Sequence, residues 1–265
     1  MQGVVWCRGC SFTFGEGLQY FSNLPSVVIP DRHWFDYNDL AYSQVRFIQN
    51  NRYSKLLADK LNTVDVNSST NGGTNEGIYN SLYTAYANYG GIKYKHNLGY
   101  KDEDYLPLED IGLIVVQFTN IYRDALIFDG KRYPTMNEAS SYENWGELFL
   151  TDGMTFEIYE KKVATYFGDK FKELFKKIEG VKPDIKIRVF SWENEIYDHL
   201  ITDPYYKDKL VTFEHNGKTY NTLRNIIYSG AGLTIMDTLK PKCKLDQHMS
   251  LEGHKVIAES IFKTL

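Results

Sequence analysis

Ser11 stands in Gly9-Cys10-Ser11-Phe12-Thr13-Phe14-Gly15-Glu16-Gly17, directly after the β-forming run Val4-Val5-Trp6. A hydroxyl at the end of a strand, in a glycine-flanked turn, can act as a nucleophile if a base takes its proton and a carboxylate holds that base. Far along the chain, Asp246-Gln247-His248 offers both. They lie on a loop just before Ser250, which can cap a predicted final helix with Val256, Ile257, Ile261 and Phe262 as its buried stripe. The chemistry open to such a trio is acyl transfer through a covalent serine intermediate. From residue types alone, a helix-capping turn serine and a structural Asp-x-His loop remain open.

The same stretch carries a rival signal. Cys7-Arg8-Gly9-Cys10 is a C-x-x-C preceded by Trp6, the pattern of a dithiol redox site, where a thiol near a helix N-terminus is held as thiolate. Two small buried residues of a first strand would give the same letters. Cys7, Cys10, Cys243 and His248 could also surround a zinc ion, although the spacing is loose. Asp31, His33, Asp36 and Asp39 form a polar cluster in a long loop, read as solvated, and His254 reads as a surface residue of the last helix.

The elements that must position these groups follow from pattern. A helix is expected within 43–61, best from Arg52, and Val64-Asp65-Val66 forms a short strand. That strand runs into the Asn67 to Ile78 loop with its Gly72-Gly73 pair, where Thr74 or Asn75 can cap a helix reaching about Tyr89. Ile111 to Asn120 is a continuous apolar run ending in polar residues, as expected of a strand inside a parallel sheet covered on both faces, and Asn120 stands at its carboxyl end. A long or broken helix over 154–178 precedes a strand over Ile185 to Trp192. Beyond it, Asn216-Gly217 signals a hairpin and Leu233-Thr234-Ile235-Met236 a weak last strand. Strands alternating with helices predict an α/β protein, a three-layer α/β/α sandwich about a mostly parallel sheet. One domain over 1–265 is expected, with insertions at about 18–42, 121–150 and 193–230.

The chain of 265 residues holds 30 basic and 34 acidic side chains, a formal net charge of −4 that gives no electrostatic reason to bind nucleic acid or an acidic membrane. Three cysteines make no disulfide framework, so a reducing compartment is the simpler assumption. No apolar run of about 18 residues spans a bilayer, and no charged and apolar leader precedes the first strand; a cytoplasmic or otherwise unsecreted protein is expected. The 21 tyrosines and 15 phenylalanines could line a sugar-binding surface or fill a core.

Taken together, four separated blocks resemble the SGNH, or GDSL-like, hydrolase superfamily. Gly9-Cys10-Ser11-Phe12-Thr13 resembles its first block, the Asn67 to Asn75 loop its second, Phe118-Thr119-Asn120 its third, and Asp246-Gln247-His248 with Ser250 to His254 its fifth. The resemblance implies a flavodoxin-like fold and a serine esterase, with an O-acyl or O-acetyl carbohydrate ester as a candidate substrate and no cofactor or metal. It implies Ser11 as nucleophile, His248 as base, Asp246 as orienting acid, and an oxyanion hole made by the backbone N–H groups of Ser11 and Gly72 and the side chain of Asn120. An alcohol acceptor would make the same site a transferase, and a binding module that has lost the chemistry is a further alternative. The chain departs from the family in three places. Cys10 stands where aspartate is usual, Phe118 where glycine is usual, and the residue three before the histidine is Leu245. Thr13 fills the last position of a would-be G-x-S-x-G elbow, which argues against the lipase-like fold.

Overall fold

Every residue of Ile111–Phe118 is buried, Gln117 included, and a strand whose apolar run Ile111 to Val116 does not alternate requires helices over both of its faces. A computed structural model describes residues 3–22, 42–69, 72–87, 92–95, 103–128, 130–133, 154–239 and 246–265. Among the described residues the central sheet has four strands, β1 (Val4–Arg8), β2 (Asp65–Asn67), β3 (Ile111–Phe118) and β4 (Lys186–Ser191), in the order β2-β1-β3-β4. All three pairings are parallel, with Cys7 opposite Asn67, Arg8 opposite Val116 and Phe118 opposite Ser191. This is the doubly wound order of flavodoxin-like sheets, whose connections reverse between β1 and β3 and open a crevice beyond their carboxyl ends.

The helices are α1 (Ser11–Phe14), α2 (Tyr42–Asn51), α3 (Tyr53–Lys60), α4 (Asn75–Ala87), α5 (Phe156–Val181), α6 (Asn194–Thr202), α7 (Leu223–Tyr228), α8 (Ile235–Thr238) and α9 (Leu251–Lys263). Alternation along the strands sends Trp6, Ile114, Val116 and Phe118 into a core with α4, α5 and α6. Val5, Cys7, Leu113 and Val115 go into a second core with α3, α7 and α9. The expected α/β class, with a parallel sheet between two helical layers, is therefore the observed one. Antiparallel hairpins at 92–95/103–106, 126–128/131–133 and 213–215/218–220 lie outside the sheet, the last at the Asn216-Gly217 signal.

Several local expectations are corrected. The helix expected within 43–61 is two, broken at Arg52, whose extended backbone lets its guanidinium bond Asp65 at 2.9 Å. Leu233 to Met236 is not a strand: Thr234 caps α8 by accepting from the Asp237 N–H, and only a single bridge from Thr234 to Met249 survives. His254 is not on the surface but fully buried between α9 and α3, because its Nδ1 accepts the Tyr53 N–H at 3.1 Å. Residues 193–230 supply α6, the hairpin and α7, all with core residues. Asp31, His33, Asp36, Asp39, Cys243 and Leu245 lie outside the described residues. No helix among the described residues is long and apolar enough to cross a membrane.

Candidate active site

Ser11 begins α1 at the carboxyl end of β1, so its backbone N–H precedes the first intrahelical bond and has no acceptor within the helix. The turn is tightly held. A side chain at Gly9 would collide with Thr13 Oγ1 at 2.1 Å, and that hydroxyl donates to Gln117 Oε1 at 2.5 Å while accepting from the Tyr53 hydroxyl at 3.2 Å. Cys10 Sγ accepts from Gln117 Nε2 at 3.2 Å. Asn67 at the end of β2 donates to the Thr13 carbonyl at 2.8 Å. The nucleophile candidate is thus fixed to β2 and β3 through buried polar bonds, each leaving fewer alternative positions for its hydroxyl.

His248 comes from a loop pinned to α8 and its cap. Ile235 N–H donates to the His248 carbonyl at 2.8 Å, Met236 N–H to Asp246 at 2.9 Å, and Ser250 N–H to Leu233 at 2.8 Å. Ser250 then caps α9 by accepting from Gly253 N–H at 3.2 Å. Held this way, the imidazole places Nε2 2.9 Å from Ser11 Oγ and Nδ1 2.7 Å from Asp246 Oδ1. A carboxylate only accepts, so Nδ1 carries the ring proton and the neutral Nε2 accepts from the serine hydroxyl. Asp246 Oδ1 also accepts the His248 backbone N–H at 2.9 Å, which fixes the acid as well as the base. Gly17 allows this closeness: its φ is +87°, and a Cβ there would lie 1.9 Å from Ile235 Cδ1 and 3.2 Å from Asp246 Oδ2.

Burial opposes the charged imidazolium, but the Asp246 hydrogen bond and the nearby Glu16 and Asp246 charges outweigh it, raising the His248 pKa above 6.5 against the opposing pull of Arg123. The ring is open enough to meet a ligand, with its side chain 20% exposed. Phe12 packs on it with ring centroids 4.6 Å apart, and half-buried Trp192 stands 4.6 Å beyond Phe12, making an apolar wall beside the base.

The remaining predicted groups lie at the carboxyl ends of the neighbouring strands. Asn120 Oδ1 accepts the Tyr122 N–H at 2.8 Å, fixing the amide, and its Nδ2 has no hydrogen-bond partner among the described residues. Gly72 is exposed at φ +68°, with nothing within 4 Å of a notional Cβ. Ser11, His248 and Asp246 are therefore joined by hydrogen bonds, whereas Gly72 and Asn120 share the same sheet edge.

Sequence reasoning missed Glu16, Asp124 and Arg123. Glu16 Oε2 is 3.3 Å from His248 Nε2. Its signal was its place between Gly15 and Gly17, on the chain that doubles back from α1. Asp124 accepts from the Asn75 and Glu76 N–H groups at 3.0 and 2.9 Å, and a lone loop acid gives no advance sign of that. Arg123 reaches the Gly73 carbonyl and Thr119 Oγ1 at 3.4 Å each.

A dithiol site needs an accessible, stabilised thiolate. Cys7 and Cys10 are free and buried, and burial, with Asp65 nearby, pushes the Cys7 thiol well above its ordinary pKa. Among the described residues no group of His, Cys, Asp or Glu could hold a metal ion; the zinc arrangement with Cys243 falls partly outside them.

No protein-family model matches the chain, and no curated protein does. Among solved structures it is similar to an acetyl xylan esterase from the rumen bacterium Butyrivibrio proteoclasticus, at 12% identity and a TM-score of 0.47, over 98% of this chain and 62% of that one. It is similar to a carbohydrate esterase described for divergent catalytic and non-catalytic binding functions, at 11% identity and a TM-score of 0.45, over 98% of this chain and 64% of that one. A third is a carbohydrate esterase family 2 enzyme with a carbohydrate-binding domain from Corynascus thermopiles (Myceliophthora fergusii), at 13% identity and a TM-score of 0.43, over 100% of this chain and 67% of that one. The chain spans less than two thirds of the length of the first two.

Proposed function

We propose that this protein is a serine ester hydrolase working through an acyl-enzyme, with the chain acting as one such domain. The observation that carries the proposal is the run of two short hydrogen bonds, 2.9 Å from Ser11 Oγ to His248 Nε2 and 2.7 Å from His248 Nδ1 to Asp246 Oδ1. In that order His248 takes the Ser11 proton as the serine oxygen bonds to the ester carbonyl carbon, and Asp246 stabilises the imidazolium. The tetrahedral oxyanion is received by the Ser11 and Gly72 N–H groups and by Asn120 Nδ2. His248 then returns the proton to the leaving alcohol as the carbon–oxygen bond breaks. Water, deprotonated by the same ring, releases the acid and restores Ser11; an alcohol in place of water would transfer the acyl group instead.

For the substrate we favour an O-acyl or O-acetyl carbohydrate ester, on the strength of half-buried Trp192, which packs on the buried Phe12 ring next to His248 and leaves apolar surface for the face of a sugar. The test is hydrolysis of p-nitrophenyl acetate by the wild type, Ser11→Ala and His248→Ala, followed by acetate release from O-acetylated xylo-oligosaccharides. Activity in the wild type, with a loss of about 1,000-fold or more in either folded variant, supports the assignment. Equal activity in Ser11→Ala removes it.

A further inference from the structure

Among the described residues, His248 Nε2 faces two oxygens. Ser11 Oγ lies at 2.9 Å and Glu16 Oε2 at 3.3 Å. The chain puts Glu16 there because α1 lasts only four residues: Gly15 turns left-handed at φ +94°, and the Glu16 N–H bonds back to the Ser11 carbonyl at 3.0 Å. The Glu16 side chain is only 9% exposed, so this contact is little screened by water. The imidazole is thereby flanked by two carboxylates, Asp246 at Nδ1 and Glu16 at Nε2.

The two contacts on Nε2 want opposite protonation states. A neutral ring protonated at Nδ1 turns a lone pair toward Glu16, which is unfavourable, and toward the Ser11 hydroxyl, which is favourable. A proton on Nε2 reverses both: the ring then carries a positive charge 3.3 Å from the Glu16 carboxylate, and Ser11 loses its acceptor. The same proton arrives at Nε2 when Ser11 attacks, as the serine oxygen–carbon bond forms and the O–H bond breaks.

We propose that Glu16 is a positioning residue that acts through His248, stabilising the imidazolium formed as Ser11 gives up its proton and, at low pH, holding the ring away from Ser11. Among the described residues, the other charged groups facing the ring are Asp246, from its own loop, which acts in the same direction, and Arg123, from beyond β3, which acts in the opposite one. His254 on α9 is also within electrostatic reach but is held neutral by burial. Phe12 contributes an apolar face. The kinetic half of this proposal rests on the serine hydrolase assignment; the contact itself does not.

Two readouts separate them. Histidine-labelled full-length protein is titrated by NMR as wild type, Glu16→Gln and Glu16→Asp, with the His248 signal identified by its loss in His248→Gln. Glu16→Gln is expected to lower the proton affinity of His248 by about three- to tenfold, and Glu16→Asp to keep part of it. With p-nitrophenyl acetate, the acidic limb of kcat/KM moves to lower pH by the same factor in Glu16→Gln, and the plateau above it falls severalfold. Should Glu16→Gln fail to fold, the Glu16 carboxylate carbon of the wild type, assigned by its absence in Glu16→Asp, is followed through the titration; it is expected to step at the His248 midpoint. A folded Glu16→Gln protein with an unmoved His248 midpoint, or a Glu16 carboxylate carbon that ignores that midpoint, overturns the role of Glu16. If the wild type hydrolyses no ester while the His248 midpoint still falls in Glu16→Gln, the contact stands and the hydrolase assignment falls.

Discussion

Asp124 ties the segment after β3 to the start of α4: its carboxylate accepts from the Asn75 N–H and side-chain amide at 3.0 and 3.2 Å and from the Glu76 N–H at 2.9 Å. Asn75 completes the tie by accepting the Thr119 N–H at 2.9 Å. Gly72 comes three residues before Asn75 and Asn120 directly follows Thr119, so this knot joins the two segments that carry the proposed oxyanion donors. Asp124→Ala leaves several buried donors unsatisfied and is expected to cost about 2–4 kcal/mol of stability, read as a fall in unfolding midpoint. It should also lower kcat by about tenfold or more with a smaller change in KM, because the donors shift relative to Ser11.

The raised pKa of His248 fixes the sign of the pH dependence. Only the neutral ring accepts the Ser11 proton, so kcat/KM is expected to rise with pH through a midpoint above 6.5 and to be lost below it. Asp246→Asn removes the strongest interaction favouring the imidazolium, so the midpoint moves down in pH. The plateau should fall by about 100- to 10,000-fold, because the amide no longer dictates the Nδ1–H tautomer. A pH–rate profile of both proteins reads the two effects together; an unchanged plateau in Asp246→Asn would unseat Asp246 as the orienting acid. The same shift means that His248 stabilises the fold below its unfolded pKa, and that this contribution is lost as pH rises through the folded one.

His254 behaves in the opposite sense. Burial, with smaller repulsions from His248 and Arg52, depresses its pKa to about 3. The unfolded chain binds this proton near pH 6.5 and the folded chain does not, so stability is full above that pH and is lost as pH falls. His254→Gln keeps an acceptor within reach of the Tyr53 N–H but does not titrate. Between pH 7.5 and 5.0 the wild type is expected to lose about 2 kcal/mol more stability than His254→Gln, measured by urea unfolding at the two pH values.

The polar residues at the sheet edge were legible in the sequence because each ends an apolar run, and parallel strands put such ends on one side. Ile111 to Val116 announced itself as an apolar run without alternation, and Ser250 by its place before a helical stripe. What failed was local and turned on a single competing bond. Thr234 looked like a strand residue until its hydroxyl capped α8. His254 looked solvated because the Tyr53 amide that it accepts is 201 positions away. Glu16 and Asp124 act through contacts made by turns, and no periodicity encodes where a turn aims a carboxylate.

Asn120 allows its two amide atoms to be tested separately. Its Oδ1 accepts from the Tyr122 N–H at 2.8 Å and caps the short turn Ile121–Arg123, whereas Nδ2 is the proposed donor to the oxyanion. Asn120→Asp keeps an oxygen for the cap and replaces the donor with a carboxylate oxygen that repels developing negative charge. Stability should therefore change by less than about 1 kcal/mol, while kcat for p-nitrophenyl acetate falls by about 100- to 1,000-fold or more and KM changes little. Asn120→Ala loses both atoms and is expected to lose stability as well, by about 1 kcal/mol. Thermal unfolding and steady-state kinetics on the pair tell the two functions apart. If Asn120→Asp instead loses stability and keeps its turnover, the amide serves only the turn, and the third oxyanion donor must be sought elsewhere on the β3 edge.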